Sequence, residues 1–170
     1  YRLSISTTTA RAVTSDIAAS TLTKAIINVG QSQRGSIETS GDEDWFRVSL
    51  VGGRTYEINL KGSETGAGTL LDPYLKGVYT SAGAAIPNSS NDDFNDSSDS
   101  RVIVTPTIGG NYYLSAGAYG GYTGTYSISL KQLSLDTAAP VRTAATPSDN
   151  SNAVRVDSNL TISFNEPVQK

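Results

Sequence analysis

Cysteine, histidine and methionine are absent from the 170 residues, and tryptophan occurs once. Without cysteine the chain has no disulfides and no thiolate metal ligands. Without histidine it has no Ser–His or Cys–His nucleophile and no imidazole for zinc. No run approaches the roughly 18–20 apolar residues of a membrane span, so no membrane insertion is expected. Positive charge is not in excess either: the formal net charge is −3, which argues against nucleic acid as a partner. Neither GxGxxG nor a P-loop lysine motif occurs, and the Gly-rich stretch GAYGGYTG at 117–124 reads as a hairpin loop between two strands. The absence of methionine extends to position 1, so the expectation is a piece of a longer, mature protein. Lack of cysteine does not place such a chain inside a cell, and a staple other than a disulfide is expected.

What is present points to an all-β protein. Short β-branched and aromatic runs alternate with Gly, Asn and Asp clusters. Phe46, Val48 and Leu50 face one way and Trp45, Arg47 and Ser49 the other. Beyond the turn Val51-Gly52-Gly53, the residues Tyr56, Ile58 and Leu60 repeat the alternation, and the two runs read as a hairpin. Further strands are expected at 73–79 with a bulge at Gly77, at 102–104, at 112–116 and at 125–130. Residues 16–25 read as a helical turn or a loop. Strands of this length and spacing imply a β-sandwich.

The ends have their own character. YRLSI at 1–5 is close to YSISL at 126–130, which suggests that residues 1–12 hold the last strand of a preceding similar module and a linker. After Leu135 the composition shifts to Pro, Asp and Asn around one strand marked by Leu160, Ile162 and Phe164, the opening of a second β-domain.

Charge is concentrated. Between Glu38 and Asp99 there are eleven acids and four bases. Asp42 and Asp44, two apart in GDEDWF, project to one side of an extended chain with Glu43 opposite. Asp72 sits in LDPY, where Pro73 holds it extended, and NSSNDDFNDSSDS offers Asn91, Asp92, Asp93, Asp96 and Asp99. Oxygen-only ligands from several loops suit a hard cation such as calcium. NDDFND lacks the glycine and closing glutamate of an EF-hand, and Asp, Asn and Ser favour turns without any ion. A pair of carboxylates could also serve glycoside hydrolysis, but acids this dense fit a cation site better.

In order along the chain, GSIETSGDEDWFRVSLVGGRTYEINL, GTLLDPYL, NDD, DSRV and GGNYYLSAGAYGGYTGTYSISL resemble the bacterial pre-peptidase C-terminal domain family over residues 13–134. The resemblance implies a jelly-roll-like antiparallel β-sandwich appended to secreted proteases and large exported proteins, with calcium-binding relatives. Carried onto this sequence, it supports Asp42, Asp44, Asp72, Asp92 and Asp93 as calcium ligands, with Asn91 and Asp99 as weaker candidates. Residues 135–170 resemble the first part of a bacterial immunoglobulin-like domain. The expectation is a non-catalytic, calcium-binding module of a secreted or cell-surface multidomain bacterial protein, with neighbouring domains of the same polypeptide as partners. In that reading one shared ion fastens separated segments, and Asp136 contributes at the domain junction. The alternative is a carbohydrate- or protein-ligand-binding module of an adhesin or secreted hydrolase, reading an extracellular polysaccharide or protein through Tyr119 and Tyr122.

Overall fold

The structure is a computed structural model that describes residues 16–134, 140–148, 151–152, 154–155 and 157–165. Residues 1–12 and Asp136, for which a preceding-module strand and a junction ligand were expected, lie outside the described residues. The chain divides into two compact units, Tyr1–Ser134 and Leu135–Lys170.

Among its described residues the first unit holds seven strands: β1 (Gln31–Ile37), β2 (Asp44–Leu50), β3 (Tyr56–Lys61), β4 (Pro73–Thr80), β5 (Ser100–Val104), β6 (Gly110–Ala118) and β7 (Gly124–Gln132). They form a four-stranded sheet in the order β1-β7-β3-β5 and a three-stranded sheet in the order β2-β6-β4, antiparallel throughout. One buried cluster joins the inner faces of both: Phe46, Val48, Leu50 and Leu114 from the smaller sheet, and Ile58, Leu60, Tyr126, Ile128 and Leu130 from the larger. The fold is an antiparallel β-sandwich, and no helix occurs among the described residues.

Every consecutive strand changes sheet. The expected β2–β3 hairpin is therefore wrong: β3 pairs with β5 and β7, and the Val51–Thr55 turn carries the chain across the core. Alternation fixed which side chains face inward, but two apolar stripes that meet across a sandwich read the same as two in one ladder. The 117–124 stretch likewise joins β6 to β7 across the two sheets instead of closing a hairpin. The bulge in β4 lies between Leu75 and Gly77, with Gly77 at φ 156°. Residues 16–25 form turns and coil, and Ile26 bridges to Arg47.

In the second unit β8 (Arg142–Thr146) pairs antiparallel with β9 (Thr161–Phe164), so the strand marked by Ile162 and Phe164 has a partner that composition did not reveal. None of this unit's described residues is buried.

Candidate metal centre

The acidic run that opens β2 sends its three carboxylates to three destinations. Asp44 shares the inward parity of Phe46 and Val48, and it is fully buried, 0% exposed. Its Oδ2 accepts a hydrogen bond from the Tyr126 hydroxyl on β7, while its Oδ1 is buried with no hydrogen-bond partner. Glu43 turns the other way, where its Oε2 accepts from Ser115 Oγ (2.8 Å) and Trp45 Nε1 (3.3 Å) beside the stacked Trp45 and Tyr79 rings. Asp42 holds the turn that leads in: its Oδ1 accepts from the Glu43 N–H at 2.8 Å and its Oδ2 from the Glu38 N–H at 3.4 Å.

Asp16, Glu38, Asp42 and Asp44 each bring one carboxylate oxygen within 4.8 Å of the others. A cleft of about 320 Å³ opens beside them, lined in part by Ile17, Gly35, Glu38, Asp44 and Tyr126. Gly35 makes this junction possible. A Cβ there would stand 2.1 Å from the Tyr126 hydroxyl oxygen and 2.9 Å from Asp44 Oδ2, inside any real contact distance. Burial, reinforced by the charges of Asp42, Glu38 and Asp16 and opposed by the Tyr126 hydrogen bond, pushes the Asp44 carboxyl up to about 7. Glu38 is raised as well, by burial first and then by Asp42. Burial and then the neighbouring Asp44 keep the Tyr126 phenol protonated far above its usual range.

A second group forms at the start of β4 and in the loop before β5. Asp72, Asp92 and Asp93 each place an oxygen within 4.8 Å of the others, and the Oδ1 atoms of Asp72 and Asp92 are buried without partners. Burial raises both carboxyls, helped at Asp72 by Asp93 and at Asp92 by Asp72 and Asp93, with Lys76 opposing at Asp92. Ser100 ties the loop to the strand, donating to the carbonyls of Pro73 (2.6 Å) and Asp92 (2.7 Å).

The seven residues nominated from sequence therefore divide. Asp42 and Asp44 belong to one acidic group and Asp72, Asp92 and Asp93 to another, instead of meeting in one centre. Asn91 shapes the loop: its Oδ1 accepts from the Arg101 N–H (2.8 Å) and its Nδ2 donates to the Asp93 carbonyl (3.0 Å). Asp99 stands apart from both groups, accepting from the Gly62 N–H and from Thr65 Oγ1, each at 2.8 Å. Sequence reasoning missed Asp16, Glu38, Gly35 and Tyr126. Glu38 lies four residues before Asp42 in the same acidic block and could have been nominated, whereas nothing local marks Asp16. Tyr126 reads as an ordinary inward core residue, which it also is.

No family model and no curated protein matches the sequence. Among solved structures, the chain is similar to the pre-peptidase C-terminal domain of a collagenase from Bacillus anthracis at 17% identity and TM-score 0.47, covering 63% of this chain and 93% of that one. It is also similar to the periplasmic inhibitors of g-type lysozyme from Aeromonas hydrophila (16%, TM-score 0.40, covering 63% and 98%) and from Salmonella Typhimurium (19%, TM-score 0.38, covering 65% and 100%). None of these likenesses supports the immunoglobulin-like reading of residues 135–170. At TM-scores below 0.5 these resemblances carry no functional weight.

Proposed function

We propose that residues 16–134 form a non-catalytic β-sandwich module of a secreted multidomain protein, stabilised by calcium at the Asp16–Glu38–Asp42–Asp44 group. One observation carries this reading: Asp44 is fully buried, and its Oδ1 has no partner although three other carboxylates crowd it. A buried carboxylate oxygen left unpaired costs several kcal/mol unless a charge compensates it. No Lys or Arg forms an ion pair with this group among the described residues, so a cation is the missing partner. The donors are all oxygens, which suits calcium and does not suit zinc. Asp16, Glu38, Asp42 and Asp44 would hold the ion, which would supply positive charge and nothing reactive. Asp72, Asp92 and Asp93 form a second candidate of the same chemistry, with Asp72 and Asp92 each leaving a buried oxygen unpaired.

The same group is poorly arranged for hydrolysis. Glycosidase carboxylates face each other across a slot, roughly 5 to 9.5 Å apart, with substrate between them. Here four crowd within 4.8 Å, and Asp44 lies under Tyr126. Extracellular calcium modules have dissociation constants of about 10⁻⁴ to 10⁻³ M. At a hundredfold excess over that constant, binding adds about 2.7 kcal/mol, or roughly 10 °C in melting temperature for a domain of this size.

Calorimetric calcium titration and thermal melts with calcium or chelator test the reading. Calcium should raise the melting temperature of the native chain, and Asp44→Asn should abolish most of that shift. A melt unmoved by chelator, with no heat of calcium binding, refutes it. A ligand-binding role finds its own support in Tyr119 and Tyr122, which are 55% and 44% exposed in the β6–β7 connection, while Tyr112 and Tyr126 belong to the core. Glycan and peptide arrays probed with the native chain and with the Tyr119→Ala/Tyr122→Ala variant test that role; it requires a signal that the variant loses.

A further inference from the structure

The outer face of the four-stranded sheet carries the charge opposite to that of the acid groups. Antiparallel register sets its rows. Arg34, Ser127 and Lys61 lie side by side on β1, β7 and β3. The next row is Ser32, Ser129, Asn59 and Arg101, and the one after it Lys131, Glu57 and Ile103. The strands of this face therefore present four cations and one carboxylate, in a chain whose net charge is −3.

That single carboxylate is already committed. Glu57 accepts from Arg101 Nη2, from Lys131 Nζ (2.9 Å) and from Asn59 Nδ2 (3.0 Å). Two of the cations retain capacity. Arg34 and Lys61 are exposed and form no ion pair among the described residues, whereas Arg101 is paired with Glu57 and its guanidinium lies over the Phe94 ring at 4.7 Å. A cleft of about 420 Å³ is lined by Lys61, Phe94, Arg101 and Lys131 together with the carboxylates of Glu57 and Asp99, both already engaged in hydrogen bonds. Its wall is rigid. Phe94 and Ser97 close a tight turn through mutual backbone hydrogen bonds (3.1 and 3.3 Å), with Asn95 and Asp96 at φ 54° and 57°. Glu64 Oε2 fastens that turn by accepting from the Ser98 N–H (2.7 Å), Ser98 Oγ (2.8 Å) and Ser97 Oγ (3.0 Å).

We infer that this face binds a uronate-bearing polysaccharide. Arg34 and Lys61 supply charge for its carboxylates, and Asn59, Ser127 and Ser129 supply hydrogen bonds for its hydroxyls. Phe94, half-buried with Arg101 over its ring, adds an apolar edge to the cleft beside them. Arg34 and Lys61 stand two strand spacings apart, about 9–10 Å, so one linear polymer meets both. Attraction between a cationic face and a polyanion is long-ranged and weakened by salt. None of these side chains belongs to an acid group, although Arg34 also borders the cleft beside Asp44, so the test rests on Lys61.

Affinity electrophoresis of the native chain in gels containing hyaluronate tests it, with dextran as the uncharged polymer and polyglutamate as the acidic polymer without sugar. Hyaluronate should retard the protein and the other two should not. Lys61→Glu should weaken retardation about tenfold in dissociation constant, the equivalent of about 1.4 kcal/mol, while leaving the melting temperature in place. Lys24→Glu carries the same charge change on an exposed residue outside this sheet and should have no effect. Absence of retardation by hyaluronate overturns the inference, as does equal retardation by polyglutamate or equal loss in the two variants. Calcium titration of Lys61→Glu remains normal in either case, so failure here is distinguishable from failure of the cation reading.

Discussion

At the scale of single residues, Gly35 and Glu57 do the most with the least sequence signal. Gly35 has no side chain because the Tyr126 hydroxyl occupies the place a Cβ would take. Gly35→Ala is expected to cost about 1–3 kcal/mol by overpacking and to shrink the calcium-dependent shift in melting temperature, since Tyr126 and Asp44 must both move. Paired melts with calcium and with chelator measure both effects. Glu57 behaves in the opposite way to Asp44. Burial pushes its carboxyl up, but Asn59, Lys131 and Arg101 together outweigh burial and hold it below the ordinary glutamate value. Its contribution to stability is therefore complete above the unfolded value of about 4.3 and is lost as pH falls through the lower folded value. Glu57→Gln should cost about 1–3 kcal/mol at pH 7, a deficit that closes as the solution is acidified into that window. Urea unfolding of both proteins across the acid range checks it. Both residues escape a sequence reading because what defines them lies across strands, Tyr126 for one and Arg101 and Lys131 for the other.

At the scale of elements, inward faces were legible and pairing was not. Phe46, Val48 and Leu50 announce β2 by their spacing, and the Leu75/Gly77 irregularity is announced by the glycine itself. β1 was invisible because QSQRGSI is polar; it is an edge strand whose backbone pairs with β7 while only Ile37 is buried. The helical option for residues 16–25 failed because the segment's own backbone bonds close only tight turns (Ser20 N–H to the Ala18 carbonyl, Thr23 N–H to the Ser20 carbonyl) and its end joins β2, with the Arg47 N–H donating to the Ala25 carbonyl at 2.9 Å. The acid site was half legible for the same reason. Asp42 and Asp44 advertise themselves by proximity, whereas Asp16 joins them only through the path of that segment. β6 is the middle strand of its sheet, and Leu114 on it is fully buried. Leu114→Ala should therefore cost about 2–5 kcal/mol in urea unfolding.

At the scale of the whole molecule, the two units differ in what holds them. The first has a single core cluster drawing on both sheets. The described residues of the second form a two-stranded ladder whose Ile162 and Phe164 are 46% and 41% exposed. Two strands without a covered face are marginal in water. A peptide of residues 135–170 should show no cooperative melt by circular dichroism, while residues 1–134 should melt as one transition. Sequence composition marked the change between these regions, but it could not show how little the described part of the second unit buries.

The place of β7 has a consequence for a chain that emerges from its N-terminus. It is the last strand of the first unit, yet it lies between β1 and β3. Until it arrives, β1 has no neighbour on its paired edge, and Asp44 waits for the phenol that Tyr126 provides. Because successive strands go to opposite sheets, no early hairpin offers a resting point. The four-stranded sheet and the Asp44–Tyr126 contact are therefore completed only when β7 joins, whereas the β2-β6-β4 sheet and the β3–β5 pair need no residue of it.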